Sequence, residues 1–541
     1  MPDEYLQFGE APSNIRSKSI YGFAQDEWKV RKNLTLTLGL RYEYSQPKID
    51  TQGRSFSLNL GQKSTVFTNA PIGVLFPGDN APNGANFPDR NDFAPRVGFA
   101  WDPFSDGKTS VRGGVGIFYD ILKGEDNLQF NGQAPFFGFS DLFFAPLDGN
   151  PTSEVNYLTQ PYIAVGIPNP FPSRPPAKNL DFGAAGFLPA GGGGVFYVAP
   201  NLRTPYVYQY NLSVQRELLK DLTLEASYVG SSSHKLTSLV DANPFILGTT
   251  TRLFNATPGN TGGSFSFLDE FRNVANANYN SLELSLNKRV SNTRFIGTTY
   301  ITFAYTYSHT IDFASGFRQR NSAAPAFNAK QFLANSDYDL RHRVSFSGGW
   351  DLPFDRAWSS APGALVKGWS LYPIVTYRTG FPLDIFAGLS RAGNRPGPSA
   401  VGDAQLVRAN LVGASVNILD PKQSQSLNNR TGNFWFNPSN FNRTGLSATS
   451  TASVTNPSLR TYGTLPRNFF SGPSRTNFDL AIAKMTSFRE QMGLEFRAEF
   501  FNIFNTAQFN NPNTTITNVT FGQITTTADP RIIQFALKFI Y

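Results

Sequence analysis

The 541-residue chain has no cysteine, which excludes a disulfide framework and any thiolate metal site. A chain this long without one fits an oxidising, extracytoplasmic compartment, where stray thiols are a liability. Charge is scarce too: Asp, Glu, Lys and Arg make up 16% of residues, against about 25% in an ordinary soluble domain. Yet no run approaches the 18 or more uninterrupted apolar residues of a membrane-crossing helix. Only three histidines are present, His234, His309 and His342. None stands in His-x-x-His or His-Glu-x-x-His spacing, so no metal site, cofactor or histidine-based catalysis is expected. The formal charge of +8 permits an anionic partner such as lipopolysaccharide. The basic residues are scattered without a Lys/Arg tract, so nucleic acid is not expected. The opening MPDEYLQFGEAPSN lacks a charged n-region followed by an apolar h-region. An export signal for an extracytoplasmic protein is therefore expected upstream of it.

What the chain does have is aromatic residues, 14% of the total with 50 Phe, and a hydrophobic period of two. In NLTLTLGLRYEY, Leu34, Leu36, Leu38, Leu40, Tyr42 and Tyr44 share one face, opposite Thr35, Thr37, Gly39, Arg41 and Glu43. LTLEASY (222–228), SLELSLN (281–287) and LEFRAEFFNIF (494–504) alternate in the same way.

Alternation alone fits a soluble sandwich or a membrane barrel equally, because each has one apolar face. Three features favour the barrel. RIIQFALKFIY (531–541) would span about 36 Å at roughly 3.3 Å per residue. Tilted by about 45° it would rise about 25 Å, the height of the apolar band of an outer-membrane barrel. Second, Arg41, Glu43, Glu225, Glu283, Glu495, Arg497, Glu499 and Lys538 all fall on the polar parity, as expected of lumen-facing charges. Lys288 and Lys484 fall on the apolar parity, but near strand ends, where the cost of a charge in lipid fades. Third, tight connections at 31–33, 102–109, 217–222, 291–293 and 488–492 alternate with long ones at about 46–92, 121–204, 231–278, 310–340, 380–475 and 505–530. Periplasmic turns and extracellular loops of a barrel differ in just this way.

The reading is all-β: an antiparallel transmembrane β-barrel of the outer-membrane type. About 13 strands are expected, at 18–29, 33–45, 93–102, 109–120, 205–217, 221–230, 279–290, 294–309, 341–352, 368–379, 476–487, 491–504 and 531–541. The last follows a long loop and runs toward the periplasm, which places the C-terminus there. Bacterial barrels have even strand numbers, so an odd count starting on a downward strand predicts a partial barrel across residues 1–541.

The stretch RTNFDLAIAKMTSFREQMGLEFRAEFFNIFNTAQFNNPN (475–513), followed by FGQITTTADPRIIQFALKFIY (521–541), resembles the end of Oar-like TonB-dependent outer-membrane transporters. YGFAQDEWKVRKNLTLTLGLRYEY (21–44), NDFAPRVGFAWDP (91–103), TPYVYQYNLSVQREL (204–218) and SDYDLRHRVSFSGGWDLPF (336–354) resemble hairpins of the same family. The resemblance implies a 22-stranded barrel around a plug domain, energised through TonB, often with an N-terminal carboxypeptidase-regulatory-like domain. No plug, TonB box or such domain is read in these residues, so contact with the TonB complex is expected only through a plug outside them. The resemblance also implies that the last strand, with Ile533, Phe535, Leu537, Phe539 and Tyr541, closes the barrel and is the signal read by the β-barrel assembly machinery.

Other features have ordinary explanations. DYDLRHR (337–343) suggests a charge network of Asp337, Asp339, Arg341 and Arg343 at a strand rim. The glycines of AGGGGVF (190–196) suit a flexible loop, and those of GVGIF (114–118) a strand that must curve. Acids and amides in DNAPNGANFPDRND (79–92) lack the spacing of an EF-hand loop. The loop at 385–475 is expected to contact a ligand or to lack fixed structure, and Trp28, Trp101, Trp350 and Trp369 suit interfacial girdles.

The function expected is uptake of an unidentified ligand by a transporter barrel in contact with outer-membrane lipid and lipopolysaccharide. An alternative is a barrel that anchors adhesive or matrix-binding loops without transport. A secreted β-rich enzyme would need a triad or paired acids, which the sequence does not offer, so no enzyme activity is expected.

Overall fold

The computed structural model describes residues 4–8, 14–121 (except 54 and 60), 139–143, 160–164, 195–243, 268–293, 296–315 (except 314), 333–390, 406–446, 463–489 and 492–541. Thirteen strands form the antiparallel run of one sheet, each pairing with its neighbours in sequence, and two short strands join it: Val195–Val198, parallel to residues 268–271, and Ala334–Asn335, antiparallel to residues 311–312. The thirteen are β1 (Ser19–Arg31), β2 (Leu34–Ser45), β3 (Asp92–Trp101), β4 (Thr109–Tyr119), β5 (Tyr206–Leu219), β6 (Leu222–Asp241) and β7 (Leu268–Thr293). The series continues with β8 (Gly297–Asp312), β9 (His342–Asp351), β10 (Trp369–Arg378), β11 (Arg475–Arg489), β12 (Met492–Phe501) and β13 (Ile532–Ile540). Among the described residues, β1 and β13 are the two edges and do not pair with each other.

All thirteen expected strands are present, most within three residues of their expected ends. The exceptions are β6 and β7, whose ladder continues to Asp241↔Asp269, so much of the loop expected at 231–278 is strand. The extension was hidden because residues 231–235 and 275–278 interrupt the alternating leucines; past bulges at Ser233/Leu236 and Leu236/Thr237 the ladder resumes, with Leu268 and Phe271 fully buried. The 353–367 link, long for a turn, holds two single-turn helices, Phe354–Ala357 and Gly363–Val366. Among the described residues, no helix is long and apolar enough to cross a membrane.

The register joins the apolar faces of successive strands into continuous rows. One runs Leu224↔Leu286↔Phe303↔Phe346↔Val375↔Phe478 across six strands. Another runs Leu36↔Phe99↔Gly113↔Leu212↔Tyr228↔Leu282↔Tyr307. Opposed apolar side chains of this kind are the unit of sheet stabilisation. Many of them are exposed: Leu212 keeps 47% of its surface, and Phe535 and Leu537 keep about two thirds. Of the fully buried side chains, Leu75, Phe76, Phe434, Phe436 and Ile385 lie in the connections, and Leu268 and Phe271 at the long-loop end of β7. A soluble sheet protein buries its apolar face, and an uncovered one this wide marks contact with a non-aqueous medium.

Glycines on both faces of the sheet make room for aromatic rings from the neighbouring strand, Gly113 and Gly230 on the apolar face and Gly349 on the polar one. A Cβ on Gly230 would lie 2.1 Å from the Tyr210 ring, one on Gly349 2.1 Å from Tyr300, and one on Gly113 2.6 Å from Phe99. Each pair is directly cross-strand, and the ring covers backbone that the glycine leaves bare.

The two ends of the sheet differ. Trp28, Trp101, Trp350 and Trp369 all lie at the short-turn end, where Trp101 pairs with Leu34 and Trp369 with Lys484. The two lysines of apolar parity lie there as well and curl to backbone carbonyls. Lys288 Nζ donates to Thr299 O at 3.3 Å and to Ser291 Oγ. Lys484 Nζ donates to Lys367 O and lies 5.7 Å from the Trp369 ring. Long aliphatic stems let the charge leave the apolar surface. At the long-loop end the same face turns polar: Tyr210 and Tyr228 both donate to Asn280 Oδ1 (3.0 and 2.7 Å), and His234 stacks on Tyr206.

Candidate functional site

The opposite face of the sheet carries the charges. The register that sets Leu34 through Leu40 on the apolar side sets Arg41 and Glu43 on the polar side, where Arg41 Nε meets Glu43 Oε1 at 2.6 Å beneath the Tyr21 ring. β12 repeats the device: Arg497 Nε meets Glu499 Oε1 at 2.6 Å, with its guanidinium 5.4 Å from the Tyr372 ring. Glu495 is opposite Lys538, Glu225 accepts from Ser227 Oγ (3.1 Å) and Glu283 from Ser281 Oγ (3.2 Å). These eight residues are spread over β2, β6, β7, β12 and β13 and do not converge on one point. Arg96 lies 4.5 Å from the Phe118 ring, and Gly116 leaves the space for that contact, since a Cβ there would meet both side chains. On β13, Ile533, Phe535, Leu537 and Phe539 pair with Phe500, Ala498, Phe496 and Leu494, and Tyr541 lies just beyond the strand, stacked on Phe539.

Above the long-loop end, the connections pack into a layer with its own core. Ile385, Ala409, Phe436, Phe441 and Leu465 of the 379–474 connection and Phe521 of the 502–531 connection form a buried cluster. The described parts of 385–475 therefore have fixed structure; 391–405 and 447–462 lie outside the described residues, as do Ala190–Gly194 of the glycine-rich stretch.

This layer is tied to the sheet by a buried arginine. Arg467, 4% exposed, donates to Asp312 Oδ1 at 2.7 Å, Asp312 O at 3.1 Å, Ser315 Oγ at 2.6 Å and Asp337 Oδ1 at 3.1 Å. Its neighbour Asn468 donates to Asp337 Oδ1 and Asn335 O, both at 2.7 Å, while its backbone N–H reaches Asp384 Oδ1. Asp384 in turn accepts from Arg408 Nε at 2.9 Å. The network expected within DYDLRHR is thus rearranged. Asp339 does pair with Arg341 (3.0 Å), but Asp337 takes a partner 130 residues away, which no local pattern could reveal. His309 and His342 bond Asn335 and Tyr305 and do not gather with His234.

The acids of 79–92 also have structural duties. Asp89 meets Arg203 (3.3 Å) and the Thr204 N–H (3.1 Å), and Asp92 accepts from Thr204 Oγ1 (2.9 Å). Burial by itself would raise the pKa of Asp79. Hydrogen bonds from Ser64 Oγ, the Phe76 and Thr65 N–H groups and Thr65 Oγ1, all 2.7–2.9 Å, outweigh it and hold the carboxyl at about 2 against an ordinary 3.8. A depressed folded pKa stabilises fully above the unfolded value, and the stabilisation is lost as pH falls through the folded one. Exchange of the Thr65 and Phe76 amides should therefore accelerate beyond its intrinsic pH dependence between pH 4 and 2. In Asp79→Asn the same amides should already exchange fast at neutral pH, with no acid step.

One feature of the polar face escaped the sequence reading. Arg343, Arg378 and Arg475 stand directly opposite one another on β9, β10 and β11. Each lies at the long-loop end of its strand, and Arg343, expected in the DYDLRHR network, instead faces Arg378, so the signal was residues of matching parity in three distant segments.

Comparison with known proteins adds the following. The family described as "Outer membrane beta barrel domain" matches residues 3–534. No curated protein sequence matches the chain. Among solved structures, the outer membrane transporter YddB from Escherichia coli is similar at 12% identity, over 97% of this chain and 45% of that one, with a TM-score of 0.44. The siderophore receptor PirA from Acinetobacter baumannii is similar at 10% identity, over 97% and 46%, with a TM-score of 0.40. The ferric citrate transporter FecA, in its unliganded form, is similar at 9% identity, over 97% and 45%, with a TM-score of 0.38. The chain spans less than half the length of each of these three proteins.

Proposed function

The chain belongs to the outer membrane β-barrel domain family, and from that premise we propose that it forms part of the barrel of a TonB-dependent, Oar-like transporter that takes up a ligand through its polar-lined interior. One observation carries the reading: a single register divides thirteen strands into a continuous apolar face and a face holding Arg41, Glu43, Glu225, Glu283, Glu495, Arg497, Glu499 and Lys538. In a barrel the first face meets lipid and the second lines an aqueous lumen. The edge strands support a sector of a larger cylinder, because Ser19–Lys29 of β1 and nearly all of β13 are exposed and free to pair with further strands. In this reading the long-loop end faces outward, the C-terminus lies in the periplasm, and Ile533 through Tyr541 serve as the assembly signal.

The packed loop layer also supports a second reading, in which the barrel anchors those loops for adhesion. Because the chain has no cysteine, single-cysteine variants labelled in cells with a membrane-impermeant maleimide separate the two. Gly413→Cys in the loop layer should label on intact cells and Ser105→Cys in a short turn only after permeabilisation; the reverse pattern overturns the orientation. For transport, labelling of Ser345→Cys on the polar face should change when the proton-motive force is collapsed. Indifference to that force leaves the anchor.

A further inference from the structure

We propose that the arginine ladder Arg343–Arg378–Arg475 is a binding site for a small anion carrying two or more carboxylate or phosphate groups. The three residues occupy one polar-face row on adjacent strands. At the ~4.8 Å spacing of strands, the row places three guanidinium groups along about 10 Å. Like charges directly opposite each other destabilise a sheet, and here two such pairs stand in succession. Ordinary proteins relieve such a row with carboxylates, yet among the described residues none of the three arginines has an ion pair. Arg475 Nη2 donates to the neutral Asn510 Oδ1 at 2.5 Å, Arg378 Nη1 donates to Thr379 O at 3.3 Å and lies over the Phe381 ring, and Arg343 is exposed.

The row opens into a cavity of about 580 Å³ at the long-loop end, a volume suited to a small organic ligand. Two carboxylates, Asp479 and Asp529, line the same cavity. Asp479 is occupied by Asn477 Nδ2 and the Asn502 N–H, both at 2.8 Å, and the pair leaves the cavity with a net positive charge. Guanidinium forks grip carboxylate and phosphate oxygens two at a time, so a polyanion spanning adjacent arginines would both gain those bonds and relieve the repulsion. The site lies on the face read above as the lumen and rests on that reading.

The test is isothermal titration of the full 541-residue chain, folded in detergent micelles, with propane-1,2,3-tricarboxylate, pyrophosphate and acetate. Saturable binding of the tricarboxylate or of pyrophosphate, but not of acetate at equal ionic strength, is expected, and whichever binds tighter names the class. Arg378→Gln should weaken that binding at least tenfold while its melting temperature without ligand stays level or rises, because the substitution relieves repulsion. Arg378→Lys should fall between, keeping the charge but losing the fork, and Arg356→Gln at the opposite end should bind as the parent does. Absence of saturable binding, equal binding by Arg378→Gln, or equal loss in Arg356→Gln overturns the proposal. The maleimide labelling described above is independent of these titrations, so a failed ladder and a failed lumen are told apart.

Discussion

Replacing Arg467 by methionine is expected to destabilise the loop layer by about 3–5 kcal/mol, the cost of leaving a buried charge without its partner. Asp312 is the residue stranded. Its carboxylate, 9% exposed, meets the guanidinium at 2.7 Å, and it sits at the last position of β8, where sheet gives way to loop. Arg467 also bonds Ser315 and Asp337, and Asn468 beside it reaches Asp384, so one side chain couples β8, the 313–341 connection and the 379–474 connection. Hydrogen exchange should show lost protection at Ala409 and Leu465, whose amides bond within the layer, with β8 to β10 unchanged below it. Adding Asp312→Asn should recover part of the loss, because it removes the charge that the first substitution strands. Unchanged protection in the loop layer would mean that the apolar cluster around Phe436 holds it without the arginine.

The sheet was legible because apolar and polar side chains alternate with every residue along it. Leu34 through Leu40 and Ile533 through Phe539 record their faces directly, and a one-residue slip would move every leucine to the polar side. The loop layer was not legible, because its contacts are long-range and irregular. Nothing near Asp337 announces Arg467, and Phe436, Phe441 and Phe521 meet from segments whose composition reads as loop. The same limit hid the ends of β6 and β7, where a polar stretch and bulges at Leu236 break the alternation before Leu268 and Phe271 pack beneath the loops. The eight charges of polar parity could be assigned a face from the sequence, but not partners. Arg41–Glu43 and Arg497–Glu499 are pairs two residues apart on one strand, while the arginine ladder needs the register of three strands that are distant in sequence.

Faces assigned by register predict opposite outcomes for adjacent positions. Phe303, midway along β8, lies in the apolar row between Leu286 and Phe346, and Thr302 beside it points to the polar side between Asn287 and Ser347. Phe303→Arg should destabilise the protein in lipid vesicles by about 2–4 kcal/mol relative to Phe303→Ala, the cost of a basic side chain near the bilayer midplane. The alanine variant isolates that charge effect from the loss of contacts with Leu286 and Phe346. Thr302→Arg should cost little, since water in the lumen solvates the guanidinium and Glu283 lies four residues along the same face, opposite Thr306. Urea-dependent equilibrium unfolding into and out of vesicles gives both numbers. Moving the same variants into detergent micelles should shrink the Phe303→Arg penalty, because a micelle is thinner and more easily deformed around a charge. A penalty larger at Thr302 than at Phe303 would reverse the two faces of the sheet, and with them the face proposed to line the lumen.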